Sequence, residues 1–283
     1  MITGKTKLLG VIGDPIEHSL SPVMHNAAIA SLNLDYVYLP FRLKREDLVK
    51  AIAGLAAINL LGFNVTIPHK QAIIPLLSQV SQRAQMVGAV NTVFWTPQGW
   101  SGTNTDVAGF VAPLKALNRD WTKITPVILG NGGAARAVVV GCAELGCPEI
   151  RVVGRDKEKL DYFKQSWANS PLDGAIRVHS LEELPGLVWT TELLVNTTPV
   201  GMYPNVESSP LAEELMGKIQ PGAIAYDLIY NPRPTKWLKA AAARGAIAID
   251  GLEMLVQQGA AALEIWLQQP VPADVMRQAC MNC

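Results

Sequence analysis

Residues 127–136 read Val-Ile-Leu-Gly-Asn-Gly-Gly-Ala-Ala-Arg, an apolar run that leads into a glycine-rich turn. Gly130, Gly132 and Ala135 occupy the three positions of a G-x-G-x-x-A pattern. In such a turn the first glycine permits the tight bend, the second lets the backbone approach a pyrophosphate, and the third residue allows helix and strand to pack closely. The start of the next helix offers free amide donors to the anion. The stretch predicts a dinucleotide-binding β-α-β unit, and an ordinary glycine-rich turn is the alternative.

The second strand of this unit, predicted at 149–153, indicates which dinucleotide is bound. An NAD-binding unit places an acidic residue at the end of this strand, whereas an arginine there accommodates the 2′-phosphate of NADP. Here Gly154 stands at the acidic position and Arg155 follows it, with Lys159 one turn further on. This pattern favours NADP. Asp156 either faces the ribose or caps the next helix, and we favour the cap.

Strand-length apolar runs alternate with amphipathic segments of helix length along the whole chain, which predicts parallel sheets with helices on both faces. The pattern breaks near residues 118–121, so we expect two α/β domains with a cleft between them. In the first half we predict short helices at His69–Leu77 and Gln79–Val87. A hairpin of Asn91–Thr96 and Trp100–Thr103 is predicted to follow them.

The composition argues against several classes of protein. Of the 283 residues, 24 are basic and 24 acidic, so the formal net charge is zero, unlike that of most nucleic-acid or membrane-surface binders. The sequence holds no apolar stretch of transmembrane length, and its first residues do not read as a signal peptide. Cys280 and Cys283 form a CxxC pair without the context of a zinc or redox site. We therefore expect a cytoplasmic protein with free thiols and no bound metal.

Two serines in the first half are candidates for binding an anion. Ser19 and Ser21 lie in Gly-Asp-Pro-Ile-Glu-His-Ser-Leu-Ser-Pro at 13–22. Because they are two residues apart, an extended segment points both hydroxyls to one side, where they could hold a carboxylate. The alternative is that Ser21 only caps the next helix.

Lys70 is a candidate for proton transfer. It closes Asn-Val-Thr-Ile-Pro-His-Lys at 64–70, at the carboxyl end of a predicted strand, where ligands of open α/β sheets gather. A partly buried ammonium at such a place suits proton transfer, and a surface lysine is the alternative. Asp106, which ends Thr-Asn-Thr-Asp at 103–106, is its natural partner, although only the fold can bring the two together.

Taken together, these motifs resemble the shikimate dehydrogenase family. The resemblance is carried by GDPIEHSLSP, NVTIPHK, GAVNT, TNTD, GNGGAAR, NTTPVGM, YDLIYNPRPT and GLEML with the glutamines after it, which follow one another in order from about residue 10 to 258. It implies an α/β fold with an N-terminal substrate-binding domain at 1–104 and a Rossmann-like NADP-binding domain at 105–252. The last helices, within 253–283, would return to the first domain. The activity implied is the reversible NADPH-dependent reduction of 3-dehydroshikimate to shikimate, in aromatic amino acid biosynthesis.

The resemblance also implies roles for individual residues. Lys70 and Asp106 match the acid–base pair at the reacting carbonyl. Contacts with the substrate are implied for Ser19, Ser21, Thr66, Asn91, Tyr230 and Gln258. Spacing from Gly251 favours Gln258 over Gln257 for the last of these. Contacts with NADP are implied for Gly130, Asn131, Gly132, Gly133, Ala134, Arg155, Lys159, Thr198, Leu228 and Gly251.

Two other functions fit parts of the pattern. The nearest is an NAD-dependent quinate/shikimate dehydrogenase, but the paired serines favour shikimate and Arg155 favours NADP. The other is a non-catalytic, cofactor-sensing binding protein, against which Lys70 and Asp106 argue, since a pure sensor needs neither. The expected partners are a small-molecule substrate and NADP, with no nucleic acid or membrane, in a monomer or homodimer.

Overall fold

The computed structural model describes residues 2–282, so Cys283, half of the CxxC pair, lies outside the described residues. The strands are β1 (Lys7–Gly13), β2 (Tyr36–Arg42), β3 (Gly62–Val65), β4 (Gln79–Val80), β5 (Thr92–Thr96), β6 (Gly99–Thr103), β7 (Val127–Leu129), β8 (Ile150–Gly154), β9 (Ile176–Ser180), β10 (Leu193–Asn196), β11 (Ile224–Asp227) and β12 (Ile247–Ile249). The helices are α1 (Ser21–Ser31), α2 (Leu48–Ala57), α3 (Gln82–Val87), α4 (Asp106–Lys115), α5 (Gly133–Leu145), α6 (Lys157–Gln165), α7 (Leu184–Val188), α8 (Glu213–Met216), α9 (Lys236–Ala243), α10 (Leu252–Leu267) and α11 (Ala273–Met281).

The chain divides into two compact units. Unit 1 contains the residues up to Gly109 and those from Leu255 onward, and unit 2 contains Phe110–Met254. Most of α10 and all of α11 therefore belong to unit 1, which confirms the expectation that the last helices return to the first domain.

The sheet of unit 1 is mixed, with the strand order β2-β1-β3-β5-β6-β4. Strand β1 pairs in parallel with β2 and β3, whereas β5 is antiparallel to both β3 and β6. The expectation of a parallel sheet is therefore met only in part in this unit, because the predicted hairpin is part of the sheet. Since β5 opposes both of its neighbours, β1, β3 and β6 run in one direction and end at the same edge of the sheet.

Of the two short helices predicted between β3 and β5, the first does not form and the second begins three residues later than predicted. Residues 70–73 form turns, and only Ile74–Leu76 make a single 3-10 turn. A proline in a helix interior clashes with the carbonyl four residues earlier, so Pro75 prevents a helix there. Further on, Gln79 and Val80 pair in parallel with β6, and the helix begins only at Gln82.

The core of unit 1 covers one face of this sheet. Leu48, Ile52 and Leu55 of α2 are buried against Phe63 of β3 and Trp100 of β6. The rings of Phe63 and Trp100 meet edge to face, with centroids 5.1 Å apart. This apolar layer anchors the strands whose ends carry the polar residues of the candidate site.

The sheet of unit 2 is parallel throughout, with the strand order β12-β11-β10-β7-β8-β9. This is the order of the dinucleotide-binding Rossmann fold, and the chain reverses its direction of progress between β7 and β10. Ligands of such sheets bind at the carboxyl ends of the strands beside this switch point. Strand β7 is short and starts at Val127, directly after Pro126, because proline is tolerated only at a strand's beginning.

Candidate active site

Lys70 and Asp106 form an ion pair in unit 1. The Lys70 Nζ atom lies 2.6 Å from Asp106 Oδ2, and the two side chains are 21% and 9% exposed. Lys70 follows β3 and Asp106 follows β6, so the common direction of these two strands brings both residues to one edge of the sheet. An ammonium carries three N–H donors, of which Asp106 takes one.

The position of Asp106 is set by Asn104 and Asn91. Asn104 is buried, and its Oδ1 accepts from the backbone N–H groups of Asp106 at 3.0 Å and Val107 at 3.4 Å, while its Nδ2 donates to the Ala89 carbonyl at 2.9 Å. Asn91 Nδ2 donates to Asp106 Oδ1 at 2.8 Å. Both carboxylate oxygens of Asp106 are therefore engaged, one by Lys70 and one by Asn91.

Asn91 also connects this pair to α10. Its Nδ2 donates to Thr105 Oγ1 at 3.0 Å and to Gln258 Oε1 at 3.3 Å, and its Oδ1 accepts from the Thr105 backbone N–H at 2.7 Å. Gln258 lies on α10 and is buried. The structure thus brings Lys70, Asp106, Asn91 and Gln258 into one network, and it places Gln258 next to Asn91.

The two serines lie where β1 leads into α1. Helix α1 begins at Ser21, its cap position is Leu20, and no side chain caps it. The interpretation of Ser21 as a helix cap is therefore wrong. The Ser19 Oγ atom accepts from the Ser21 backbone N–H at 3.3 Å.

Thr66 directly follows β3 and lies beside the start of this serine segment. Its methyl group approaches Gly13 so closely that a Cβ there would stand 2.4 Å from it. A glycine at position 13 therefore lets the segment pass next to Thr66.

The glycine-rich turn of unit 2 has the geometry of an anion cradle. Gly130 has a φ of +102°, a conformation that L side chains rarely adopt, and a Cβ there would lie 2.7 Å from Thr197 Oγ1. Helix α5 starts at Gly133 after the cap position Gly132, and no side chain caps it, so its first amides can serve a ligand. A Cβ at Gly132 or Gly133 would meet nothing within 4 Å. These residues fit the pyrophosphate of a dinucleotide.

The segment after β8 holds the residues predicted to recognise the 2′-phosphate. The Asp156 carboxylate accepts from the Lys159 backbone N–H at 3.1 Å and caps α6, as predicted. This backbone hydrogen bond lowers the pKa of the Asp156 carboxyl. The Lys159 Nζ atom lies 3.1 Å from Asp156 Oδ2, and Arg155 is exposed. The Asp156 carboxylate is thus bonded to α6, and the residue directly after β8 is Arg155.

Asp227, which the sequence analysis missed, organises the carboxyl ends of β10 and β11. It is buried and accepts from Asn196 Nδ2 at 3.0 Å, the Ile229 backbone N–H at 3.2 Å and the Thr235 hydroxyl at 2.7 Å. Trp237 Nε1 donates to the same carboxylate. Burial raises the pKa of Asp227, and these donors act in the opposite direction. The signal that could have identified Asp227 in the sequence is an acidic residue at the end of an apolar strand.

The residues predicted to line the nicotinamide side lie near Asp227 and its hydrogen-bond partners. The Thr198 hydroxyl donates to Asn196 Oδ1 at 2.7 Å. A Cβ at Gly251 would lie 2.1 Å from the Leu228 carbonyl oxygen, so only glycine fits there. Tyr230 also belongs to unit 2, three residues beyond β11.

Within 2–282 no group of three or more His, Cys, Asp or Glu side chains is placed to hold a metal ion. Cys142 and Cys147 are free thiols. No helix in the same range is long and apolar enough to cross a membrane.

A Rossmann-ordered sheet with an uncapped glycine turn, in one chain with a partly buried lysine–carboxylate pair, defines a dinucleotide-dependent oxidoreductase. Residues 11–93 match the model of the shikimate dehydrogenase substrate binding domain, and residues 251–281 match that of the shikimate 5′-dehydrogenase C-terminal domain. The chain belongs to the shikimate dehydrogenase family.

Individual relatives resemble the chain over its whole length. The shikimate dehydrogenase (NADP(+)) of Gloeothece citriformis is 67% identical over 279 residues, which cover 99% of this chain and 97% of the relative. That of Microcystis aeruginosa is 66% identical over 282 residues, covering 100% and 99%. The crystal structure of the Thermus thermophilus shikimate 5-dehydrogenase, in complex with NADP(H) and shikimate, is 34% identical with a TM-score of 0.86, covering 98% of this chain and 99% of that one.

Proposed function

We propose that this protein catalyses the reversible reduction of 3-dehydroshikimate to shikimate with NADPH, a step of the shikimate pathway of aromatic amino acid biosynthesis. The observation that carries the proposal is the 2.6 Å contact between Lys70 and Asp106 in a chain two-thirds identical to NADP-dependent shikimate dehydrogenases. A ketone reduction needs a proton donor at its oxygen, and an oriented ammonium meets this need.

In the reducing direction Lys70 acts as the general acid. NADPH, when bound, supplies the hydride that reaches the ketone carbon. Lys70 Nζ gives a proton to the ketone oxygen, and in the reverse direction it takes that proton from the hydroxyl. Asp106 orients the ammonium through Oδ2, and Asn91 fixes the carboxylate through Oδ1.

The remaining predicted site residues bind and orient the two ligands in this proposal. Ser19 and Ser21 hold the substrate carboxylate, with Tyr230 nearby, and Thr66, Asn91 and Gln258 bond the ring hydroxyls. The phosphate loop of Gly130, Asn131, Gly132, Gly133 and Ala134 receives the pyrophosphate, and Arg155 and Lys159 receive the 2′-phosphate. Thr198, Leu228 and Gly251 line the nicotinamide side. The uncapped start of α5 and the open space above Gly132 and Gly133 support the loop's role.

Initial rates with shikimate and with quinate, each with NADP and with NAD, test the proposal. We expect shikimate with NADP to give the highest kcat/KM of the four combinations. A higher value for quinate with NAD would identify a quinate/shikimate dehydrogenase instead. Absence of reduced nicotinamide absorbance in all four mixtures would identify a non-catalytic binding protein.

We also propose that the enzyme acts in the cytoplasm as a monomer or homodimer. The thiols of Cys142 and Cys147, which form no disulfide, support a reducing compartment. Light scattering on the purified protein measures the molar mass, and a value of three chains or more contradicts the proposal.

A further inference from the structure

Asp227 is a fully buried carboxylate at the end of β11 for which the proposed reaction has no role. Its two oxygens serve different parts of unit 2. Oδ1 accepts from Asn196 Nδ2 at 3.0 Å and from the Ile229 backbone N–H at 3.2 Å. Oδ2 accepts from the Thr235 hydroxyl at 2.7 Å and from Trp237 Nε1. Oδ1 therefore holds the segments that follow β10 and β11, whereas Oδ2 holds the start of α9.

The segment after β10 is held through the side chain of Asn196. Its Oδ1 accepts from the Thr198 backbone N–H at 3.0 Å and from the Thr198 hydroxyl at 2.7 Å. Its Nδ2 donates to Asp227 and also to the Val200 carbonyl at 3.3 Å. Because the amide oxygen is taken by two donors, the amide nitrogen must face the carboxylate. Asp227 thus determines, through Asn196, where Thr198 lies.

The segment after β11 is held through the backbone of Ile229. The Ile229 N–H donates to Asp227 Oδ1, and the Ile229 carbonyl accepts from the Gly251 N–H at 3.0 Å. The neighbouring Leu228 N–H donates to the Asn196 carbonyl at 3.0 Å. Leu228 and Gly251 are the other two residues proposed to line the nicotinamide side, and each lies directly beside a group that bonds to Asp227.

We propose that Asp227 is a positioning residue for the nicotinamide ring, whose Oδ1 atom holds the two segments that line this ring. The inference rests on the proposed function, in which Thr198, Leu228 and Gly251 line the nicotinamide side. A buried acceptor shared by several donors resists displacement, since each donor that it loses is left unsatisfied away from water. Segments held in this way keep the ring in place, and hydride transfer is sensitive to small errors in position.

The variant Asp227→Ala removes the acceptor that the two segments share. We expect the Kd for NADP to rise about five- to tenfold, which corresponds to the loss of roughly one hydrogen bond at the nicotinamide end. The Kd for 2′-phospho-ADP-ribose, which has no nicotinamide ring, should stay within about twofold of the wild type, because the phosphate loop and Arg155 follow the other strands β7 and β8. Isothermal titration calorimetry measures both constants. An unchanged Kd for NADP, or an equal rise for the two ligands, would overturn the proposal.

The conservative variant Asp227→Asn tests whether hydrogen bonds rather than charge hold the two segments. Its amide oxygen can replace Oδ1 as the acceptor of both, while its NH2 group donates to the Thr235 hydroxyl and leaves the Trp237 N–H without an acceptor. We therefore expect a lower unfolding temperature but a Kd for NADP within about twofold of the wild type. A Kd as high as that of Asp227→Ala would contradict the proposal.

A second variant, Asn196→Leu, covers the case in which Asp227→Ala does not fold. It keeps a side chain of similar size and removes the link between Asp227 and Thr198, while the other three donors to the carboxylate remain. We expect the same difference between the two Kd values, and its absence would overturn the proposal. Thr191→Val is the matched control, because this buried hydroxyl donates to two backbone carbonyls at the start of the same strand. It should lose stability and keep both Kd values.

Steady-state rates at saturating NADP connect the positioning to the reaction. We expect kcat for shikimate oxidation to fall by roughly tenfold in Asp227→Ala and to stay within about threefold of the wild type in Asp227→Asn. An unchanged kcat in Asp227→Ala would contradict a role in hydride transfer. If the wild type binds NADP but does not oxidise shikimate, the proposed function fails, and this result is separate because the Kd comparison needs no turnover.

Discussion

At the scale of single residues, the orientation of the proposed proton-transfer pair, Lys70 and Asp106, depends on its local surroundings. Lys70 is anchored through its backbone, because its carbonyl accepts from the Val90 N–H at 2.8 Å, while its side chain reaches Asp106. Asp106 in turn is held by the buried amide of Asn91. Geometry of this kind supplies orientation, which is the protein's main contribution when a cofactor carries the hydride.

Replacing Lys70 with alanine should lower kcat by about 10²–10⁴-fold, the usual range for loss of a general acid. The KM for shikimate should change much less, since the ammonium acts mainly on the proton in the transition state. Steady-state kinetics measure both constants. Lys50→Ala, at an exposed position of α2, serves as the control. A variant of Lys70 in which only KM rises would show that the lysine is a binding group.

His25 should make the protein less stable in acid. Its ring is buried between Tyr38, at 4.1 Å, and Trp266, at 5.9 Å, and burial lowers its pKa from 6.5 to about 3. Between these pH values the unfolded chain binds a proton that the folded protein does not bind. The free energy of unfolding should therefore fall as the pH falls below 6.5, by up to about 1.4 kcal/mol per pH unit.

Urea unfolding at several pH values isolates this contribution through His25→Phe. The variant keeps an aromatic ring but cannot bind the proton, so its stability should depend less steeply on pH than that of the wild type. His18→Phe, at an exposed position, should keep the steep dependence. Parallel pH profiles for the wild type and His25→Phe would refute the assignment.

At the scale of elements, the strand, glycine turn and helix of β7 and α5 were predicted in their observed order, whereas the segment between β3 and β5 was not predicted correctly. The first unit rests on a local strand–turn–helix pattern that the residues themselves specify. Strand β4 has only two residues, and it exists because Gln79 and Val80 pair with β6 about twenty residues later. Two residues are too few to show the alternation of apolar and polar side chains from which a strand is predicted.

Two glycine variants separate the backbone role of the phosphate loop from its binding role. Gly130→Ala should lower the free energy of unfolding by about 1–3 kcal/mol, since it forces a side chain into a positive φ. Gly133→Ala should leave stability unchanged or slightly raised, because its methyl meets nothing within 4 Å and alanine favours helix.

Both glycine variants should weaken NADP binding, which fluorescence titration measures. For Gly133→Ala we expect the Kd for NADP to rise about tenfold, because the methyl occupies the space above the first turn of α5. An unchanged Kd in this variant would place the pyrophosphate elsewhere. Gly174→Ala, where a Cβ also meets nothing within 4 Å, is the matched control.

At the scale of the whole molecule, the C-terminal helices complete unit 1. Trp266 of α10 donates to the Val93 carbonyl at 2.9 Å, and its indole lies over Gly62, where a Cβ would stand 2.1 Å from Nε1. The same helix carries Gln258 to Asn91. The end of the chain is therefore part of both the core and the candidate site of this unit.

Replacing Trp266 with alanine should destabilise the protein by about 3 kcal/mol, through lost packing and the lost hydrogen bond. Because α10 is loosened, KM for shikimate should rise while the Kd for NADP, which binds to unit 2, stays unchanged. Thermal unfolding and steady-state kinetics measure the two effects. Trp189→Ala, at a residue 61% exposed, is the control and should change neither the stability nor the KM for shikimate. A loss of NADP affinity in Trp266→Ala would contradict the expectation that NADP binding does not depend on α10.

The sequence by itself determined the dinucleotide-binding unit, the glycine turn and the serine and lysine segments, because turn chemistry and hydrophobic periodicity act over a few neighbouring residues. Only the tertiary structure decided that Lys70 contacts Asp106 and that Asn91 contacts Gln258 across 167 positions. These contacts follow from strand order and strand direction. Both are set by packing between residues far apart in the chain, and no local pattern encodes them.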